Sequence, residues 1–219
     1  MDCFIIVCIL WVASLCLHEY GHAYVAFRGG DHTVVAKGYL TMNPVRYLHP
    51  IYSLALPLLF VVLGGIGLPG GAVYIERQLL RSRGWDTAVS LAGPAATLAL
   101  VLLIGLAFKL GLIPHDGTKL TTMSLAFLFQ LEVSSLLLCL LPVPPMDGFQ
   151  AIAPWLPPKL RQQLAGFSGM GVMFIFMALW SIPSFNHAFW DLVRGAGAIF
   201  GIEPSWGRMG LRAFRFWEH

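Results

Sequence analysis

Charge is scarce in this chain. Asp, Glu, Lys and Arg supply 11% of its 219 residues, against about 25% in an ordinary soluble domain. With 57% hydrophobic residues and a mean hydropathy of +0.72, that shortage excludes a soluble domain with a large core and points to an integral membrane protein. The net charge of +3 comes from Lys and Arg scattered through the connections and tail, with no basic stripe, so nucleic acid is not expected as a partner. Cysteine is sparse too. Cys3, Cys8, Cys16 and Cys139 fall in apolar segments with no C-x-x-C spacing, which argues against a disulfide framework or a cysteine zinc site. A basic n-region is missing before the first apolar run at Cys3, so that run is expected to stay in the mature protein rather than be cleaved as a signal peptide. No internal repeat or low-complexity segment is present.

Inside the apolar run from Cys3 to Phe27 stands Leu17-His18-Glu19-Tyr20-Gly21-His22, an H-E-x-x-H set. On a helix His18 and His22 lie one turn apart on one face, so both imidazoles reach a single Zn²⁺ while Glu19 borders that face. That is the layout for a metal-activated water with a carboxylate base beside it. Three ionisable residues within five positions of a spanning segment are costly unless they pair, bind a metal or do chemistry.

The rest of the chain supplies the frame. Residues 3–27 are long enough to span and stop at Arg28-Gly29-Gly30-Asp31. From His32 to Pro50, β-branched Thr33-Val34-Val35 and then Tyr39 to Pro44 predict short strands and a turn in an interfacial loop. Residues 51–68 are apolar but broken by Pro57 and a glycine cluster, so a full span and a re-entrant hairpin are both open. Gly70 to Ile75 reads as a glycine-led extended strand, either an edge for a substrate backbone or simply part of a tight turn. Residues 87–113 form the next span, with small residues at Ala92 to Ala96 that let helices approach closely. The span over 120–141 runs into Pro142-Val143-Pro144-Pro145-Met146-Asp147-Gly148, where Asp147 is either a metal ligand or the cap of the following helix. Residues 167–182 make a fifth apolar segment, and the weaker 185–202 is a sixth span or an interfacial helix. The tail over 203–219, with Arg208, Arg212 and Arg215 among Phe214, Phe216 and Trp217, reads as a basic aromatic interfacial anchor. The fold class is therefore an all-α polytopic membrane protein. It has about five to six transmembrane helices and a re-entrant or β-like membrane loop after the first.

With His18-Glu19-x-x-His22, Gly93-Pro94 opening a later span, and Pro142-x-Pro144-x-x-Asp147-Gly148 closing the next, the sequence resembles the site-2 protease family of intramembrane zinc metalloproteases. It looks like the compact bacterial type without a PDZ domain, and the likeness covers about residues 3–155, within a membrane domain of residues 1–202. The resemblance implies one Zn²⁺ per chain on His18, His22 and Asp147, with Glu19 as general base. Family members carry Asn where this chain has Thr97 and Cys139, positions implied to hold substrate backbone or the developing oxyanion, and Gly70 and Gly71 are further candidates for substrate contact. A shared metal puts the three ligands at one membrane depth, which a re-entrant 51–68 satisfies and a full crossing does not. The loops on that side carry most of the Lys and Arg, so the positive-inside rule turns the site toward the cytoplasm of a bacterial inner membrane. The implied partners are the lipid bilayer and a single-span membrane protein substrate, with the oligomeric state left open. Thr97 and Cys139 keep a rival reading in play, a catalytically silent relative acting as a membrane binding or chaperone module. A metal transporter is a third, disfavoured because Glu132 is the only other acidic residue well inside a span.

Overall fold

The computed structural model describes residues 1–46 and 73–218. Among these residues the chain is helical and contains no strand. α1 (Asp2–Gly29) rises about 42 Å over its 28 residues, more than the ~30 Å hydrocarbon core of a bilayer requires. It ends at Gly30, whose φ of 123° lies in the region that favours glycine. The turn there returns the Asp31 N–H to the Ala26 carbonyl at 3.0 Å.

Asp31 is fully buried and organises the next stretch of chain. Its Oδ1 accepts from the Thr33 N–H at 2.9 Å and the Thr33 hydroxyl at 2.6 Å, and its Oδ2 accepts from the Glu76 N–H at 2.8 Å. Thr33-Val34-Val35, predicted as a strand, instead forms the single helical turn α2 (Thr33–Ala36). A carboxylate that satisfies the first free N–H of the turn outweighs the preference of three β-branched residues for extended backbone.

α3 (Arg83–Lys109) starts at Ser82, whose hydroxyl oxygen accepts from the Trp85 N–H at 3.3 Å. α3 packs along α1, and small residues set the spacing. A Cβ on Gly21 of α1 would lie 2.8 Å from the Ala92 carbonyl oxygen of α3. α4 (Leu120–Cys139) is the most enclosed helix, with Phe127, Phe129, Leu131 and Leu138 almost wholly buried. The proline-rich break after it redirects the chain into the short α5 (Asp147–Ile152), which lies on α3. The link is direct: the Thr87 hydroxyl donates to the Ala151 carbonyl at 2.7 Å, and Trp155 Nε1 donates to Thr87 Oγ1 at 2.9 Å.

α6 (Pro158–Ala165), α7 (Ser168–Ser181), α8 (Pro183–Ile199) and α9 (Pro204–Phe214) complete the chain. α9 buries Trp206, Gly207, Gly210 and Phe214 toward α4 and leaves Arg208 and Arg212 exposed. Phe216 and Trp217, beyond it, are exposed and stack edge-on to one another. α1, α3 and α4 are long and apolar enough to cross a membrane, and α6 with α7, bent by 69°, make a fourth span if the pair counts as one. Alone, the 14 residues of α7 rise about 21 Å, short of the hydrocarbon core. Three to four candidate spans is the count among the described residues. The expected re-entrant segment over 51–68, and Gly70 and Gly71, lie outside them.

If the α1–α3 spacing rests on Gly21, Gly21→Leu should cost ~1–3 kcal/mol and lower the detergent unfolding midpoint by several degrees. Gly195→Ala, where an added Cβ meets nothing within 4 Å, should leave the midpoint unchanged or raise it. Equal midpoints for Gly21→Leu and wild type would contradict the close contact.

Candidate metal centre

α1 presents His18, Glu19 and His22 inward, at 5%, 3% and 7% exposure. Each imidazole is held through its Nδ1 by α3. His22 Nδ1 lies 2.7 Å from the Val89 carbonyl oxygen, and His18 Nδ1 lies 2.9 Å from Thr97 Oγ1. A carbonyl only accepts, so His22 Nδ1 carries the proton and donates it, which leaves the Nε2 lone pair free. Both Nε2 atoms consequently face the same point, 3.1 Å apart.

The third group arrives from the opposite direction. Asp147 opens α5, and instead of capping that helix it turns its carboxylate to the imidazoles, with Oδ2 3.4 Å from His18 Nε2 and Oδ1 3.5 Å from His22 Nε2. One ligand atom from each of His18, His22 and Asp147 lies within 4.8 Å of the others, a group that could hold a metal ion. Two observations of the surroundings fit such an ion. Lone pairs converge on one point, and among the described residues no Lys or Arg lies within 4.0 Å of the Asp147 carboxylate, an arrangement that a metal cation relieves. Gly93 of α3 lies against that point: a Cβ there would come within 2.5 Å of His18 Nε2 and closer still to His22 Nε2. Two imidazole nitrogens and a carboxylate are a donor set suited to zinc, with room for a fourth partner.

Glu19 sits beside this group, close enough to interact electrostatically with His18, His22 and Asp147. Its Oε2 accepts from the Val73 N–H at 3.1 Å, so the backbone at residue 73 fixes the carboxylate. Thr97 is buried with its hydroxyl on His18. Cys139, also buried, is within hydrogen-bonding reach of Ser135 and Asp147. Both side chains thus touch the ligand set. The structure adds two features that the sequence alone did not reveal: the Val89 carbonyl and the cradle at Gly93. Gly93 had a signal, the small-residue stretch of α3, but that stretch reads equally as helix packing. A backbone carbonyl leaves none.

Thr97→Val removes the partner of His18 Nδ1 and should weaken zinc affinity by ~10–100-fold. Gly93→Ala should drop zinc content well below one per chain, read by metal analysis after dialysis. Full zinc retention in Gly93→Ala would show that the ion does not sit where the two Nε2 atoms converge.

No family model matches the chain, and no solved structure does. Curated relatives do. The chain is 43% identical over 216 residues to "Putative zinc metalloprotease Rip2" of Mycolicibacterium smegmatis, covering 98% of this chain and 82% of the relative. It is 41% identical over 215 residues to the protein of the same name in Mycobacterium tuberculosis H37Rv, with the same two coverages. To "Putative zinc metalloprotease YwhC" of Bacillus subtilis it is 28% identical over 189 residues, 84% of this chain and 83% of the relative. Identity above 40% across nearly the whole chain, on a membrane-helix scaffold that gathers His18, His22 and Asp147, makes this protein a member of the compact site-2 protease family of zinc metalloproteases.

Proposed function

We propose that the protein is an intramembrane endopeptidase that hydrolyses a peptide bond in or near the transmembrane segment of a single-span membrane protein, as a step of regulated intramembrane proteolysis. The observation that carries the reading is the convergence of His18 Nε2, His22 Nε2 and the Asp147 carboxylate beside Glu19, deep among helices able to cross a bilayer. His18, His22 and Asp147 would hold the zinc. When bound, the ion supplies the Lewis acidity that activates water and polarises a peptide carbonyl.

The chain's own residues supply the rest. Glu19, held through Oε2 by Val73, keeps Oε1 for the proton of the attacking water and passes that proton to the leaving amine nitrogen. Thr97 and Val89 keep the two imidazoles in the tautomer and rotation that ligation needs. A helical substrate hides its scissile carbonyls in i to i−4 bonds, so it must unwind before attack. Residues 73–76 lie beside Glu19 outside any helix, and they support a role for this backbone, with Gly70 and Gly71 before it, in receiving an extended substrate.

Two backbone ties support a topology with the site toward the cytoplasm. The Arg81 N–H donates to the Gly29 carbonyl at 3.0 Å and the Glu76 N–H to Asp31 at 2.8 Å. The chain therefore stands at the same membrane face at Asp31 and at Glu76, which supports the re-entrant reading. That face carries Arg28, Lys37, Arg46, Arg77, Arg81, Arg83, Lys159 and Arg161, eight in all, against Lys109 and Lys119 with Arg208, Arg212 and Arg215 of the tail packed beside them at the other. Such a bias marks the cytoplasmic side, in a bacterium that of the inner membrane.

The test is cleavage of a panel of single-span membrane peptides by the purified protein. Wild type should cut, lose cleavage on chelation and recover it with zinc. Glu19→Gln should retain one zinc per chain while cleavage falls about 10²–10⁴-fold. If wild type and Glu19→Gln both bind zinc and neither cuts, the protein is a silent membrane module and the protease reading falls.

A further inference from the structure

On the same face as the metal centre, a cavity of about 500 Å³ opens between the start of α3, the 3₁₀ turn Arg77–Leu79 and the α5–α6 connection. Its walls carry three guanidinium groups, Arg77, Arg83 and Arg161, and one acidic residue, Asp86. Asp86 is committed to Arg77, whose Nη1 also donates to Ser90 Oγ at 3.1 Å. Among the described residues no carboxylate lies within 4.0 Å of Arg83 or Arg161. Ser82 and Gln162 add polar groups, while Leu80, Pro154 and Leu156 make the remaining wall apolar.

The positive-inside rule accounts for arginines on this face, but not for three of them, from three separate elements, lining one cavity. Like charges gathered at a concave site repel one another unless an anion fills it. Guanidinium groups match phosphate in geometry, donating in pairs to its oxygens. The volume falls in the ~300–1,000 Å³ range of small-group binding sites. α6 contributes Arg161 and Gln162, and it meets the following α7 at 69°. The cavity mixes phosphate-binding donors with apolar wall, at the end of a helix able to span a membrane. That is where lipid headgroups lie.

We propose that this cavity binds the phosphate of an anionic glycerophospholipid headgroup. Arg83 and Arg161 grip the phosphate, and Arg77, fixed by Asp86, adds its charge from below. A bound headgroup joins α3, which supplies Val89 to the metal centre, to the α5–α6 connection, which follows the helix that supplies Asp147. Zwitterionic phosphatidylcholine, whose choline cation would face the arginines, is disfavoured.

The test uses the full chain purified in detergent. Phosphatidylglycerol, phosphatidylcholine and inorganic phosphate are titrated separately, with bound lipid counted by native mass spectrometry and zinc content measured alongside. One phosphatidylglycerol per chain should bind, with phosphatidylcholine and phosphate at least tenfold weaker. Arg83→Gln/Arg161→Gln should weaken phosphatidylglycerol about 10–30-fold at unchanged zinc content. Arg83→Lys/Arg161→Lys, which keeps charge but not the paired donors, should fall between. If the double Gln variant loses zinc, Arg161→Gln alone decides, because Arg161 lies on the exposed α6 away from the ligands; it should cost about fivefold. The proposal is overturned if the zinc-replete Gln variant binds phosphatidylglycerol like wild type or phosphatidylcholine binds as tightly. Inorganic phosphate binding as tightly as the lipid would reassign the cavity to a soluble phosphate.

Discussion

The close approach of α1 to α3 at Gly21 and Gly93 is the constraint on which the rest of the molecule depends. Two imidazoles and two carboxyl groups in a low-dielectric interior are tolerable only if every polar atom finds a partner. The partners here lie on the neighbouring helix. Val89 and Thr97 reach His22 and His18 because no side chain intervenes at residue 21 or 93. A methyl at either position would collide with the Ala92 carbonyl or with the imidazoles. Helix spacing, imidazole tautomer and the direction of both Nε2 atoms are thus one geometric fact. In hydrocarbon, where apolar surface gives helices little reason to associate, small residues of this kind let backbones meet.

A second tie works at the end of the same helix pair. Asp31, buried, holds Thr33 and Glu76 at once, and the Arg81 N–H closes onto Gly29. Lys37 adds hydrogen bonds to the Tyr74 carbonyl at 2.8 Å and to Glu76 at 3.0 Å. These bonds fix where residues 73–76 run, and residue 73 in turn fixes Glu19. The carboxylate proposed as the base is therefore oriented by loop backbone while the imidazoles are oriented by helix. In the proposed reaction, separate supports would let α1 and α3 stay packed while a substrate backbone is received beside residues 73–76.

The centre was legible in the sequence to the extent that its chemistry is written in side chains. His18, Glu19 and His22 declare themselves because their spacing is helical and their surroundings apolar. Asp147 alone read equally as a cap, and only its oxygens facing the two Nε2 atoms separate the readings. Thr33-Val34-Val35 misled because strand propensity is a weak preference that one buried carboxylate reverses. The number of spans was hard to read because hydropathy does not report bends: residues 158–181 are apolar enough in sum, yet they break at 69°. In the tail Arg208 and Arg212 are exposed and Arg215 is half-buried, while Trp206 and Phe214 pack inward through glycines whose role appears only in contact.

Thr97 and Cys139 carry the last step. Both occupy positions where the resemblance implies asparagine, an amide that reaches outward with two donors. In this chain both shorter side chains turn to the ligand set instead. If His18 ligates through Nε2, its Nδ1 is the donor and Thr97 Oγ1 the acceptor, so the threonine lone pair is spent on the imidazole. Cys139, a weak donor, lies against Ser135 and Asp147. In the proposed reaction the Thr97 O–H hydrogen remains free to donate toward negative charge on a substrate carbonyl, while Cys139 offers only a weak S–H. Zinc, when bound on His18, His22 and Asp147, would supply the Lewis acidity that polarises that carbonyl. A site of this kind would tie turnover to how well the substrate backbone is seated, because Glu19 itself is held by the backbone N–H of residue 73.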